Sequence, residues 1–173
     1  RGKVDGIFTI YWLEEREPYF HFSKQVLMSA NMSLFALKEN QFSFDGNLAS
    51  LRGIEIGKAV NVSVGEKFDK AIADGVVTID LAPDNTTNAR KLLAGRIPLI
   101  VANRFVLWDI FQKLGADKRV KEITPPVQIV DLRIAFPKVG SLYKVRDDFD
   151  SAFAKMKREG RVEQIIKNYI HSQ

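Results

Sequence analysis

One arginine, Arg16, stands among three glutamates, Glu14, Glu15 and Glu17, just after a short apolar run (residues 4–10) and the aromatic pair Tyr11-Trp12. A guanidinium presents a rigid fork of donors that matches a carboxylate or phosphate, so Arg16 can grip an anionic ligand. The same arginine can equally be a surface residue balanced by its acidic neighbours. Tyr11 and Trp12 directly follow a candidate strand. They can wall a pocket at its end, where ligands lie in α/β folds, or they can fill the core. Asn61-Val62-Ser63-Val64-Gly65 falls between a candidate strand and a candidate helix. There Asn61, the amide hydrogens and the Ser63 hydroxyl suit an anionic group, although polar residues also cap helices with no ligand present. Asn103 follows another candidate strand and carries the same two readings, helix cap or ligand contact.

For catalysis the sequence is thin. It contains no GxSxG, HExxH or GxxxxGK[ST] pattern and no histidine paired with a nucleophile. Glu14 and Glu15 could serve as general acid or base, yet adjacent carboxylates on a loop are ordinarily solvated. Zero cysteines exclude disulfides and thiolate chemistry, and two histidines cannot form a zinc cluster. The residues give no support to an enzymatic activity, and no catalytic residue, metal or cofactor is expected. A net charge of +5 raises nucleic acid as a partner, but the 26 Lys and Arg are scattered along the chain. The densest patch (Lys155, Lys157, Arg158, Arg161) straddles the end of a candidate helix, where cations complement the helix dipole. Nucleic acid is therefore not an expected partner.

The elements that must position these residues alternate in type. Residues 4–10, 26–37, 54–60, 76–81 and 97–102 read as strands from their β-branched and apolar content, and 127–136 as a strand or pair of strands. In residues 26–37 Ala30, Met32, Leu34 and Ala36 share one face and Ser29, Asn31 and Ser33 the other, which predicts a long strand with one buried side. Residues 38–47 read as a loop, and 48–53 as a short helix or turn. Helices are expected at 68–73, at 88–94 stopped by Gly95, and at 105–114 stopped by Gly115. The tail predicts two more. One carries Phe149, Phe153 and Met156 on one face, Asp147, Asp148 and Asp150 in its first turn, and Gly160 at its end. The other repeats Val162, Ile165, Ile166, Tyr169 and Ile170 at amphipathic spacing. Hydrophobic residues at 46% and charged residues at 27% of 173 place the chain among globular proteins of one domain or two small lobes. No apolar run approaches the ~20 residues that span a bilayer. The pattern predicts an α/β fold.

Five segments, in order, resemble the amino-acid-type periplasmic solute-binding proteins of ABC importers (extracellular solute-binding protein family 3). Gly2-Lys3-Val4-Asp5-Gly6-Ile7 is similar to their G-x-V/L-D strand entrance, and Arg16 followed by Phe22-Ser23 to their T-x-x-R…F-S segment. Leu51-Arg52-Gly53-Ile54-Glu55-Ile56-Gly57 resembles the opening of their second lobe. Leu92-Leu93-Ala94-Gly95-Arg96-Ile97 resembles L-x-x-GR-x-D, with Pro98 where the family has Asp. The tail from Phe149 to Gly160, with Ile165 to Tyr169, resembles the family's closing helices.

The resemblance implies a two-lobed type II periplasmic-binding-protein fold whose lobes close on a ligand. Residues 1–29 and 136–173 would form lobe 1, and 30–135 lobe 2. The first lobe would lack its N-terminal part, because family members begin some tens of residues earlier. That would leave a sheet edge open to dimerisation or segment exchange. Also implied are an extracytoplasmic location, a small-molecule ligand and ABC permease membrane subunits as partners. A sensory receptor domain is the alternative, and a dehydratase-like or lytic-enzyme-associated relative a further one. In the family, the arginine matching Arg16 holds the ligand α-carboxylate, and a hydroxyl residue matching Ser63 assists from the other lobe. The acid that meets the ligand ammonium matches Asn103, which is neutral. Leu13 and Tyr11 replace two hydroxyl residues, and Asn61 replaces a glycine. A desolvated ammonium facing an amide lacks its charge-assisted bond. The expected ligand is therefore an anionic or aromatic small molecule, gripped by Arg16 and packed on Tyr11 or Trp12, in place of a free α-amino acid.

Overall fold

A computed structural model describes residues 4–139 and 142–171, without the side chains of 166, 167 and 169–171. Gly2 and Lys3 of the expected strand entrance, and the side chains of Ile166, Tyr169 and Ile170 in the expected amphipathic face, lie outside the described residues. The chain divides into two compact units, one of Arg1–Ser29 and Asp131–Gln173, the other of Ala30–Val130. Two strands run from one unit into the other, β3 (Met28–Leu37) and β7 (Val120–Pro137). The boundary expected near residue 135 falls inside β7, which is unbroken.

In the first unit, β1 (Ile7–Tyr11) and β2 (Phe20–Phe22) both pair antiparallel with the end of β7. Ala135 is the register partner of Ile7 on one side and of Phe22 on the other, so β7 lies between them. Two helices follow, α4 (Tyr143–Arg158) and α5 (Arg161–His171). The helix α4 begins one turn earlier than expected, so Asp147, Asp148 and Asp150 lie beyond its first turn, which holds no acid. Asp150 is instead an anchor. Its buried carboxylate accepts hydrogen bonds from the amides of Lys24 (2.9 Å) and Gln25 (3.0 Å) and ties α4 to the turn after β2. Phe149 and Phe153 stack at 5.5 Å on the half-buried face.

The second unit is built from β3, β4 (Glu55–Ala59), β5 (Thr78–Ala82), β6 (Leu99–Asn103) and the start of β7, in the order β7-β3-β6-β4-β5. The strand β4 is parallel to both β5 and β6, and β3 is antiparallel to β6. Parallel neighbours need crossover connections, and α1 (Glu66–Ala73) and α2 (Asn85–Leu93) supply them. A third helix, α3 (Arg104–Lys113), returns along the sheet. Ala89 and Leu92 of α2 and Leu107 and Phe111 of α3 pack with Phe35, Leu37, Ile100, Ala102 and Val120 into one core cluster.

The strand β3 departs from the expected single buried side. From Met32 to Leu37 every residue is buried, including Ser33 and Phe35 on the face expected to be polar. It runs between β6 and β7, and α3 packs over it, with Trp108 against Phe35 at 5.1 Å. The buried Ser33 hydroxyl is satisfied by donating to Glu122 at 2.7 Å.

Candidate functional site

The six residues singled out in the sequence fall in two groups. Tyr11, Trp12 and Arg16 belong to the first unit, and Asn61, Ser63 and Asn103 to the second.

In the first group the strand β1 ends at Tyr11, and the Trp12 amide still donates to the Asp131 carbonyl (3.1 Å). Leu13 then turns into the core and is buried. It cannot replace the hydroxyl residue expected near a ligand. A single 3-10 turn, Glu14–Arg16, follows, closed by the amides of Arg16 and Glu17. The turn folds Arg16 back toward the strand end, and its Nη1 donates to the Tyr11 carbonyl at 3.1 Å. Arg16 is half-buried. Among the described residues no carboxylate forms an ion pair with it, although three glutamates adjoin it in sequence. Glu17 is taken by another donor, the Trp12 indole N–H, at 3.0 Å. Arg16 is thus not held in an ion pair by the neighbouring glutamates. Tyr11 is half-buried and Trp12 is 36% exposed, so both aromatics present surface at the strand end.

Phe22-Ser23, part of the sequence resemblance, is structural. Ser23 is fully buried. Its hydroxyl donates to the Gln25 carbonyl (2.8 Å), and Arg133 donates to the Ser23 carbonyl (2.9 Å).

In the second group the topology gathers the residues. The parallel strands β4 and β6 are in register at Ile56↔Leu99 and Gly57↔Ile100, so their carboxyl ends share one edge of the sheet. Asn61 and Ser63 follow β4, and Asn103 ends β6. Asn61 has φ 56°, in the left-handed region that glycine and asparagine adopt at least cost. This conformation explains how asparagine can stand where the resemblance places a glycine.

Ser63 is already engaged. Its hydroxyl donates to the Asp69 carboxylate and accepts from the Gly65 amide at 3.0 Å, while the Val64 amide donates to the other Asp69 oxygen at 3.3 Å. Gln128 of β7 caps the same helix start by accepting from the Lys67 amide at 3.0 Å. Gly65 has φ 113°, so the backbone demands glycine there, and a Cβ would lie 2.4 Å from the Gln128 amide and displace it from its cap.

Asn103 caps α3, its Oδ1 accepting from the Phe105 amide at 3.0 Å. Its Nδ2 has no acceptor among the described residues. Next to it Arg104 pairs with Glu122 (3.0 Å), whose carboxylate also receives Ser33 and the Trp108 indole (3.3 Å). Asp69, Gln128 and Glu122 were not evident as partners in the sequence. Only an acid in the first turn of α1 offered a local signal for Asp69.

No family model and no curated relative matches the sequence. The fold does match solved structures. An ancestral arginine-binding protein bound to arginine is similar over 96% of this chain and 72% of its own, with TM-score 0.74 and 22% identity. The fold is that of the type II periplasmic binding proteins. A histidine kinase sensor domain with similarity to periplasmic binding proteins matches over 96% of this chain and 70% of its own, with TM-score 0.79 and 17% identity. The GluR0 ligand-binding core from Nostoc punctiforme, in complex with L-glutamate, matches over 96% and 73%, with TM-score 0.72 and 17% identity. Amino-acid ABC transporter binding proteins recur among the neighbours with this periplasmic-binding-protein fold. At these identities the likeness carries the fold, and the chemistry must come from the residues.

Proposed function

We propose that the chain is an extracytoplasmic solute-binding protein that captures a small polar or anionic ligand, amino-acid-like or an organic acid, for ABC-type uptake. The observation that carries this reading is Arg16. It is half-buried at a strand end and directed by a tight turn. It makes one bond to a backbone carbonyl and no ion pair among the described residues. A guanidinium so placed favours an anion that fills its remaining donors. The two compact units would be the two lobes of the fold, with Tyr11, Trp12 and Arg16 contributed by one. Asn61 and the Asn103 Nδ2 would come from the other, where Ser63 could join only by releasing Asp69. ABC permease membrane subunits would be the partners, and self-association through the β1 edge is part of the same proposal.

Asn103 weighs against an ordinary amino acid, since the residue that ends β6 is neutral and the carboxylate next to it, Glu122, is already taken by Arg104, Ser33 and the Trp108 indole. The test is calorimetry of the chain against panels of organic acids and amino acids. An organic acid should bind more tightly than any standard amino acid, and Arg16→Ala should remove that binding. Tight binding of a standard amino acid, unchanged by Arg16→Ala, refutes the reading.

A sensory role is the second reading, favoured by the likeness to the histidine kinase sensor domain. Its ligand site would be the same. The two differ in partner, so co-purification with permease subunits or with a kinase separates them.

A further inference from the structure

The strand β5 is the outer strand of the second unit's sheet. Lys58 and Val60 alternate to one face of β4 and its extension. Ile79 and Leu81 lie on the same face of β5, with Leu81 in register with Lys58. Together with Ile72 of α1 and Asn61 they line a groove of about 520 Å³. Four of the six are aliphatic, and Leu81 and Val60 remain 58% and 39% exposed. The one charge in the groove is the half-buried Lys58. Among the described residues its ammonium makes only a long contact, 3.4 Å, to the Ala59 carbonyl, and no ion pair. Asp80, on the opposite face of β5, pairs with Lys91, and Asp74, just after α1, pairs with Lys70, each at 2.8 Å.

A lone cation in an aliphatic groove is complementary to one kind of molecule, an anion with an apolar body. We propose that this groove binds a small amphipathic carboxylate, an aliphatic or aromatic acid whose head meets Lys58 and whose body covers Val60, Ile72, Ile79 and Leu81. The inference does not rest on the Arg16 site: Asn61 is common to the two, but Lys58 and the four aliphatic residues that the proposal uses have no part in that site.

The experiment titrates the 173-residue chain with octanoate and, as a neutral counterpart, 1-octanol. Octanoate should bind saturably and more tightly than 1-octanol. Lys58→Gln should lower octanoate affinity about fivefold, as expected for a partly exposed ion pair, with 1-octanol unchanged. Leu81→Asp, at an exposed position where far-UV circular dichroism should stay as in the parent, should weaken both. The proposal is overturned by unsaturable binding, by an octanoate affinity that Lys58→Gln leaves alone, or by loss of octanoate in Arg16→Ala. A concentration-dependent dimer that Leu81→Asp dissociates would assign the groove to a second copy and overturn it equally.

Discussion

Arg16 in the first unit and Ser63 in the second are both half-buried polar residues at strand exits, yet their hydrogen bonds are committed differently. The Arg16 guanidinium makes one bond among the described residues, to the Tyr11 carbonyl. The Ser63 hydroxyl gives its only proton to Asp69 and accepts the Gly65 amide, so the loop and the start of α1 already use it. A hydroxyl has a single donor, whereas a guanidinium has five. The arginine can therefore serve the fold and still hold a ligand, and the serine cannot donate to an anion without releasing Asp69. Asn103 is partly committed, with its oxygen capping α3 and its Nδ2 without an acceptor among the described residues.

The substitution with the largest expected effect is Arg16→Ala. Removing a charge-assisted, bidentate-capable grip should weaken organic-acid binding by about a hundredfold, read by calorimetry, while Tm changes little. Ser63→Ala should do the reverse. Leaving Asp69 and the Gly65 amide without their partner should cost about 1 kcal/mol of stability in denaturant unfolding, with a smaller change in affinity. If the two variants exchange phenotypes, the contrast between the units is wrong.

Asn103→Asp sharpens the comparison next. Aspartate caps a helix as well as asparagine does, so stability should hold. The added charge should turn selectivity toward ligands bearing an ammonium and away from anions by about tenfold, measured as the ratio of two dissociation constants. An unchanged ratio would remove Asn103 from the ligand site.

Much of the α/β arrangement could be read from the chain because its signals are local. Gly95 and Gly115 sit at helix ends with φ 67° and 62°, as their positions foretold. The errors lie where distant segments decide. Ser33 reads as solvent-facing, yet α3 covers that face of β3, and Glu122, far along the chain, accepts the hydroxyl's hydrogen bond. The start of β7 was missed because Pro125-Pro126 interrupts the strand signal, and prolines cannot donate to a ladder. The strand exits bearing Tyr11, Asn61 and Asn103 were legible from β-rich runs ending in polar or aromatic residues. That Ser63 is held by Asp69 was not, since the two meet only once the loop turns into α1.

The second unit also carries an unsatisfied group that its capping residues do not share. Asn88 of α2 is 1% exposed, and neither its Nδ2 nor its Oδ1 has a protein partner among the described residues. It lies over Gly57 of β4, whose added Cβ would come within 2.9 Å of the Asn88 oxygen. Asn88→Leu keeps the branching at Cγ and removes both orphaned atoms. It should raise stability by about 1 kcal/mol in chemical denaturation. A loss would mean that overpacking against Gly57 outweighs the gain.

The smallest effect concerns the cap of that helix. Asp84 accepts the Thr87 amide at 2.7 Å, and this hydrogen bond, ahead of the one to the Thr87 side chain, holds its carboxyl below the usual range. A carboxyl with a depressed folded value stabilises the fold while ionised. Its contribution is complete above the unfolded value, near 3.9, and fades as pH falls through the lower folded value. Asp84 is fully exposed, so solvent screens the effect and only a modest shift in Tm is expected. Asp84→Asn keeps an acceptor at the cap and removes the titration. The parent should therefore be the more stable of the two at pH 7, and the gap should narrow as the pH is lowered toward 3. A gap that stays constant over that interval would mean that the cap acts through its geometry alone, with no part for its charge.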